Sequence, residues 1–271
     1  MIAALFIRQS LLSLWLALIA ATVFAQAQPA QKPFEPQVGQ EGKDVIWVPT
    51  PQALVEKMMD LAKVTANDTV IDLGSGDGRT VITAAKRGAR ALGIEYNPDM
   101  VELSRLNAAK EGVSGKASFM KADIFESDFS QATVITMYLL PQLNVKLRPK
   151  ILDLKPGTRI VSNTFTMEEW EADQTATVET DCTSWCTALL WIVPAKVEGT
   201  WRTPQGTLTI SQKFQHFSGT LGSTPVTNGL VHGDQIEFMA GAAHYTGHVN
   251  GNAMQGTASG GAAASWSATR Q

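Results

Sequence analysis

The stretch Val70-Ile71-Asp72-Leu73-Gly74-Ser75-Gly76-Asp77-Gly78-Arg79-Thr80 sets a strand-like run against three alternating glycines, and a helix-like run follows. Glycine permits a tight turn and lets a ligand approach main-chain N–H groups, so the loop reads as a cofactor cradle. A Walker-type phosphate loop needs a four-residue spacer and then Gly-Lys-[Ser/Thr]; here a shorter loop ends in Gly78-Arg79-Thr80. The dinucleotide fingerprint needs G-x-G-x-x-G, whereas the glycines here are spaced G-x-G-x-G. Carboxylates at Asp72 and Asp77 would also flank the place of a pyrophosphate. Two acidic side chains suit a ligand that is cationic and free of phosphate. S-adenosylmethionine, with a sulfonium and an ammonium, is such a ligand.

Outward from the loop, strands and helices alternate up to about residue 193. Thr50-Pro51 reads as a helix cap with a first-turn proline, followed by Leu54, Val55, Met58, Met59, Leu61 and Ala62 at helical spacing. After the loop, residues 80–87 read as helix and 89–95 as strand. Asn97-Pro98 caps a further helix that stops near Gly112. Strands over 117–122, 133–138 and 158–163 and a helix over 142–154 complete a βαβ period. The expectation is an α/β fold, a doubly wound Rossmann-like sheet with its ligand site at the carboxyl ends of the strands.

"VIDLGSGDGRT", "ALGIEYNPDMVELSR" and "SFMKADIFE" together resemble the class I S-adenosylmethionine-dependent methyltransferases over roughly residues 45–193. The resemblance implies that Gly74, Gly76 and Gly78 wrap the methionine end of S-adenosylmethionine, with Asp72 at its strand terminus. It implies that Glu95 accepts hydrogen bonds from both ribose hydroxyls and that Asp123 with Ile124 meets the adenine edge. The chemistry suits these roles: a carboxylate is the acceptor-only group that paired hydroxyls require, and Asp123 can accept from the adenine amino group.

A closer resemblance rests on "VIWVPTPQALVEKMMDLAKV" and "SDFSQATVITMYLLPQLNVKLRPKILDLKPGTRIVSNTF". Both stretches are similar to a branch containing the lysine methyltransferases of the mitochondrial ATP synthase c-subunit and bacterial relatives. This implies a protein substrate presenting a lysine side chain, with Tyr138 of "TMYLLP" lining the acceptor channel as the catalytic candidate. Trp47, Thr50, Asn163 and Phe165 are substrate-side candidates on the same argument. Transfer would be an in-line displacement that depends on positioning more than on a base. The alternatives are a small-molecule or lipid methyltransferase, and a non-catalytic binding module that keeps the cofactor fold.

From about Val197 the composition shifts to short alternating runs separated by Gly or Asn-Gly, a strand-and-hairpin signature. Residues 197–271 are expected to form a small all-β domain, a sandwich or barrel, with Leu208, Ile210, Ile236 and Phe238 facing its core. His244 and His248 do not converge on a metal at strand spacing, and no metal is expected.

Residues 1–27 read as a signal peptide: Arg8 precedes a nearly unbroken apolar run from Leu11 to Ala25 that ends in small residues. An uncleaved membrane anchor is the alternative. Residues 28–44 read as a linker. Export, periplasmic or secreted, follows from the leader, with association with a membrane or envelope left open. A net charge of −3 without a dense Lys/Arg block argues against a nucleic-acid partner. The two cysteines, Cys182 and Cys186, could close a disulfide if their segment turns back on itself. In a straight strand they would stand about 13 Å apart, too far for a bond.

Overall fold

The computed structural model describes residues 34–261 and 264–271. The expected leader, residues 1–27, lies outside the described residues. Among those described, no helix is long and apolar enough to cross a membrane.

Strand β1 (Thr69–Leu73) is almost wholly buried, as its β-branched run requires of a central parallel strand. It pairs in parallel with β2 (Arg90–Glu95) on one side and β4 (Val134–Met137) on the other. Strand β3 (Ala117–Lys121) extends the first flank and β5 (Arg159–Asn163) the second, both parallel. Two antiparallel strands, β6 (Gln174–Thr177) and β7 (Thr187–Ile192), finish the sheet as a hairpin, giving the order β3-β2-β1-β4-β5-β7-β6. Helices α1 (Gln52–Leu61), α2 (Arg79–Lys86), α3 (Pro98–Lys110) and α4 (Pro141–Leu152) complete the α/β expectation.

Local chemistry explains the helix ends. Asn97 caps α3, its side chain accepting from Asp99 N–H at 2.9 Å, and Pro98 opens the helix. The expected cap at Thr50 does not form: Pro51 is the N-cap of α1 and no side chain caps it. Thr50 is buried, and its hydroxyl instead accepts from Asn163 Nδ2 at 3.3 Å. Leu54, Val55, Met58 and Met59 form the buried face of α1 as expected.

The C-terminal strands are β8 (Gly199–Thr203), β9 (Gly206–Lys213), β10 (His216–Leu221), β11 (Thr224–His232), β12 (Gln235–Ala240), β13 (Ala243–Asn250), β14 (Ala253–Ser259) and β15 (Ser265–Arg270). They run as an antiparallel meander that closes into a barrel through β15–β8 pairing. Of the two expected architectures the barrel is the one formed, and Leu208, Ile210, Ile236 and Phe238 are all buried inside it. Its interior is packed with aromatics: Tyr245 stacks on Phe238 at 4.7 Å, and Trp266 meets Phe238 edge-on at 5.5 Å. Phe214, between β9 and β10, stacks on Trp170 at 5.9 Å, and Gln215 Nε2 donates to Glu171 C=O, tying the barrel to the sheet.

Residues within the expected linker are also ordered by contacts. Gly39 N–H donates to Trp47 C=O and Trp47 N–H to Gln40 C=O, closing a small hairpin bridged at Glu41 and Ile46. This strap runs over the glycine loop.

Candidate active site

A cleft of ≈ 250 Å³ opens at the carboxyl ends of the parallel strands. The glycine loop forms its floor. Gly74 N–H and Ser75 N–H both donate to Ile94 C=O, folding the loop back on β2. Gly76 has φ 54°, and a Cβ there would stand 2.7 Å from Trp47 Nε1, so the strap's indole can cover the loop only because position 76 has no side chain. Gly78, at φ 84°, is packed behind the loop against Phe119 and Ser104 and caps α2; it does not line the cleft. The structure thus gives Gly78 a packing role, separate from the cofactor contact that the resemblance implies for it.

Glu95 reaches the loop from the end of β2. One carboxylate oxygen accepts from Gly76 N–H and the other from Asn97 N–H, each at 2.9 Å. The group is pinned, yet each oxygen keeps a lone pair directed elsewhere, which is the requirement for a pair of adjacent hydroxyls. Asp72 is buried and accepts from Thr136 Oγ1 at 2.7 Å, a contact set by the β1–β4 register that places the two residues side by side. Burial, with Glu95 and Asp77 nearby, pushes its carboxyl up to about 7. Asp77 does not supply the second free negative charge expected of it. Arg79 Nη2 pairs with it at 2.6 Å, and Arg79 Nη1 also donates to Thr50 C=O. Asp72, Glu95 and, on the strap, Glu41 are the cleft carboxylates that lack an ion-pair partner among the described residues.

At the other end, Asp123 and Ile124 line the cleft as expected. Asp123 Oδ1 accepts from Phe125 N–H, while Oδ2 is ion-paired to Lys43 of the strap, which holds the carboxyl below its ordinary range. The Lys43 ammonium also lies 5.1 Å from the Tyr96 ring centroid. Sequence reasoning missed Lys43 because its place depends on the fold of the strap.

The acceptor end is aromatic. Tyr138 follows β4 and stacks on Phe165 at 5.7 Å, and Trp185 is tilted against Tyr138 at 6.5 Å. All three line the cleft, as do Trp47 and Thr50. Burial pushes the Tyr138 phenol up to about 12, so it stays protonated at neutral pH. Asn163 is the exception among the substrate-side candidates. It is fully buried beside Thr50 and does not reach the cleft, because its position on β5 turns the side chain inward. Trp185 was missed, although its place between the two cysteines is a signal. Cys182 and Cys186 are joined by a disulfide with Cα atoms 5.8 Å apart, because the segment bends instead of running straight. His244 Nε2 meets Glu237 at 2.7 Å, and among the described residues no group of three or more metal-ligating side chains occurs.

These residues fit S-adenosylmethionine. Asp72 and Glu95 beside the glycine loop lack cationic partners, Glu95 retains acceptor capacity, and the buried Ser75 hydroxyl in the cleft wall has no hydrogen-bond partner. The strand order, the glycine loop and the acidic ends of β1 and β2 define a class I S-adenosylmethionine-dependent methyltransferase.

Comparison with known proteins agrees. Residues 72–174 match the family model described as the ANTKMT methyltransferase domain. A protein-lysine N-methyltransferase of Saccharolobus islandicus is 46% identical over 138 residues, covering 50% of this chain and 86% of that protein. The human lysine N-methyltransferase of the ATP synthase c-subunit is 34% identical over 128 residues, 47% of this chain and 54% of its own length. A crystal structure of an RNA methyltransferase from Salinibacter ruber in complex with S-adenosyl-L-homocysteine is 45% identical. It superposes with a TM-score of 0.52, over 55% of this chain and 96% of that one. The chain belongs to the ANTKMT-type family of S-adenosylmethionine-dependent methyltransferases.

Proposed function

We propose that this enzyme methylates the Nε of lysine in a protein acceptor. The observation that carries the reading is the aromatic mouth formed by Tyr138, Phe165 and Trp185 at the end of the cleft beyond β4. The names of the Saccharolobus and human relatives support the same reading. In solution a lysine amine has a pKa of about 10.4 and must be neutral to act as a nucleophile. Past the aromatic mouth, where water is excluded and the positively charged sulfonium lies ahead, the neutral form is favoured, and the proton leaves to solvent before the nitrogen seats. Tyr138, protonated at neutral pH, is no base; its hydroxyl can accept an amine N–H and so orient the nitrogen lone pair. Bound S-adenosylmethionine supplies an electrophilic methyl on a sulfonium. In this reading Glu95 would hold its hydroxyl-bearing part and Asp72 its cationic part, with Trp47 covering the loop.

The Salinibacter relative's description favours RNA as the second reading. The acidic balance of this chain, net −3, weighs against a polyanionic substrate. Export is part of the proposal and rests on the apolar N-terminal sequence, and the disulfide suits an oxidising compartment. The barrel is proposed to dock the protein acceptor.

Incubation of the full chain with methyl-labelled cofactor, envelope protein and total RNA tests the proposal. Label is expected in protein. Label confined to RNA, or to low-molecular-weight material, overturns it.

A further inference from the structure

We infer that Trp185 forms the outer wall of the acceptor channel and that the Cys182–Cys186 bond holds it there, so that the redox state of this pair sets affinity for the acceptor. The inference deepens the lysine reading above and rests on it.

Topology brings the cysteine loop to the site. Strand β7 runs antiparallel to β5, pairing Ala188 with Asn163, and Thr164 N–H donates to Thr187 C=O at 2.7 Å. The β6–β7 connection therefore rises beside Phe165 at the carboxyl end of β5. Beyond the Thr177–Thr187 pair, the loop is closed by Val178 N–H donating to Cys186 C=O and by the disulfide. Trp185 sits inside that ring at φ 53°, a backbone conformation uncommon for a bulky side chain.

The indole's placement argues for contact with a ligand. Trp185 is 48% exposed, so it buries too little to serve as a core residue, yet its ring meets Tyr138 at the cleft mouth. Tyr138, Phe165 and Trp185 thus present π surfaces around one opening, the arrangement that attracts a cationic alkylammonium. A lysine entering as an ammonium, and a methylated lysine leaving as one, would both meet Trp185 on the way. Trp185 is thus a specificity-determining residue for the acceptor, and the disulfide a positioning device. Opening the bond takes two electrons and two protons from a dithiol, which becomes a disulfide as Cys182 and Cys186 become thiols. The loop then keeps its backbone closure and loses the covalent one.

The test uses the full chain, tritiated S-adenosylmethionine and a lysine-centred random peptide pool, comparing wild type, Trp185→Ala, Trp185→Phe and the Cys182→Ser/Cys186→Ser double variant. Trp185→Ala is expected to raise apparent KM for the pool about 2- to 30-fold, the range spanned by loss of a cation–π contact. Its kcat and its affinity for S-adenosylhomocysteine should stay within about twofold. Trp185→Phe should recover most of the loss. Dithiothreitol should raise KM for wild type and leave the double variant, already raised, unchanged. Fluorescence provides a second readout: wild type minus Trp185→Phe, titrated with Nα-acetyl-Nε-trimethyl-lysine amide, should show quenching that weakens on reduction. If wild type transfers nothing to the pool but this quenching is seen, the lysine-transfer reading falls while the wall stands. Unchanged KM in folded Trp185→Ala, or quenching absent or indifferent to reduction, overturns the inference.

Discussion

Asp72 is expected to make cofactor binding depend on pH. Its carboxyl, ordinarily near 3.8, is pushed up to about 7 by burial and by Glu95 and Asp77, against the opposing pull of the Thr136 and Thr80 hydroxyls. A carboxyl raised in the folded state holds its proton more tightly folded than unfolded. Its contribution to stability is therefore fully present below about pH 4 and is lost as pH rises through about 7. At about 1.4 kcal/mol per unit, the loss by pH 8 is at most about 4 kcal/mol. A cationic ligand group beside Asp72 reverses the balance, because it favours the anion. Below about pH 7 binding must first expel the proton, and affinity for S-adenosylmethionine should fall by up to about tenfold per unit. Calorimetric titration from about pH 5.5 to about pH 8.5, in buffers of different ionisation enthalpy, reads both the affinity and the released proton. Asp72→Asn should bind weakly at every pH with no slope from this group. Thr136→Val, which removes a hydrogen bond favouring the anion, should move the inflection upward. A flat affinity across the range in folded wild type, or an unaltered slope in Asp72→Asn, would remove Asp72 from the cationic end of the cofactor.

Other outcomes follow from the same geometry. Glu95→Ala should weaken S-adenosylhomocysteine binding by about 2 kcal/mol or more, as expected for loss of charge-assisted hydrogen bonds, and calorimetry checks this. Tyr138→Ala should cut methyl transfer far more than cofactor affinity, with Tyr138→Phe isolating the hydroxyl's share, read as kcat against Kd. Phe214→Ala should destabilise the chain by about 2 kcal/mol through lost stacking on Trp170, measured by urea unfolding. A chain starting near Gln28 should stay soluble and bind cofactor, and residues 197–271 alone should melt cooperatively; aggregation of the first or an unfolded second would contradict the expected division of the chain.

What the sequence made legible was what short-range chemistry controls. Asn97-Pro98 announces a helix start because the cap is made within a few residues, and the alternation of Leu208 with Ile210 exposes a strand because its period is local. Glu95 is singled out by the family resemblance of the motif that contains it, and its position at the end of β2 follows from the local strand pattern. Asn163 shows the limit: a strand end fixes where a residue lies, but its face depends on the register with β7. Gly78 looked equivalent to Gly74 and Gly76, yet tertiary packing against Phe119 assigns it to the helix side of the loop. Lys43 and Trp185 reach the site from segments whose own composition resembles linker and loop. Their positions come from long-range contacts, Lys43 with Asp123 and Trp185 with Tyr138, that no local pattern encodes.

The lysine assignment requires that the cleft pass a methyl group to a lysine nitrogen. Its most direct test is the chemical identity of the product: full chain, labelled S-adenosylmethionine and envelope protein, followed by complete hydrolysis and separation of the labelled residue. Label is expected in Nε-methylated lysine, abolished by Glu95→Ala at limiting cofactor and by Tyr138→Ala at saturating cofactor. Label in a methylated nucleoside, in another amino acid, or in lysine undiminished by Tyr138→Ala in a folded protein would contradict it.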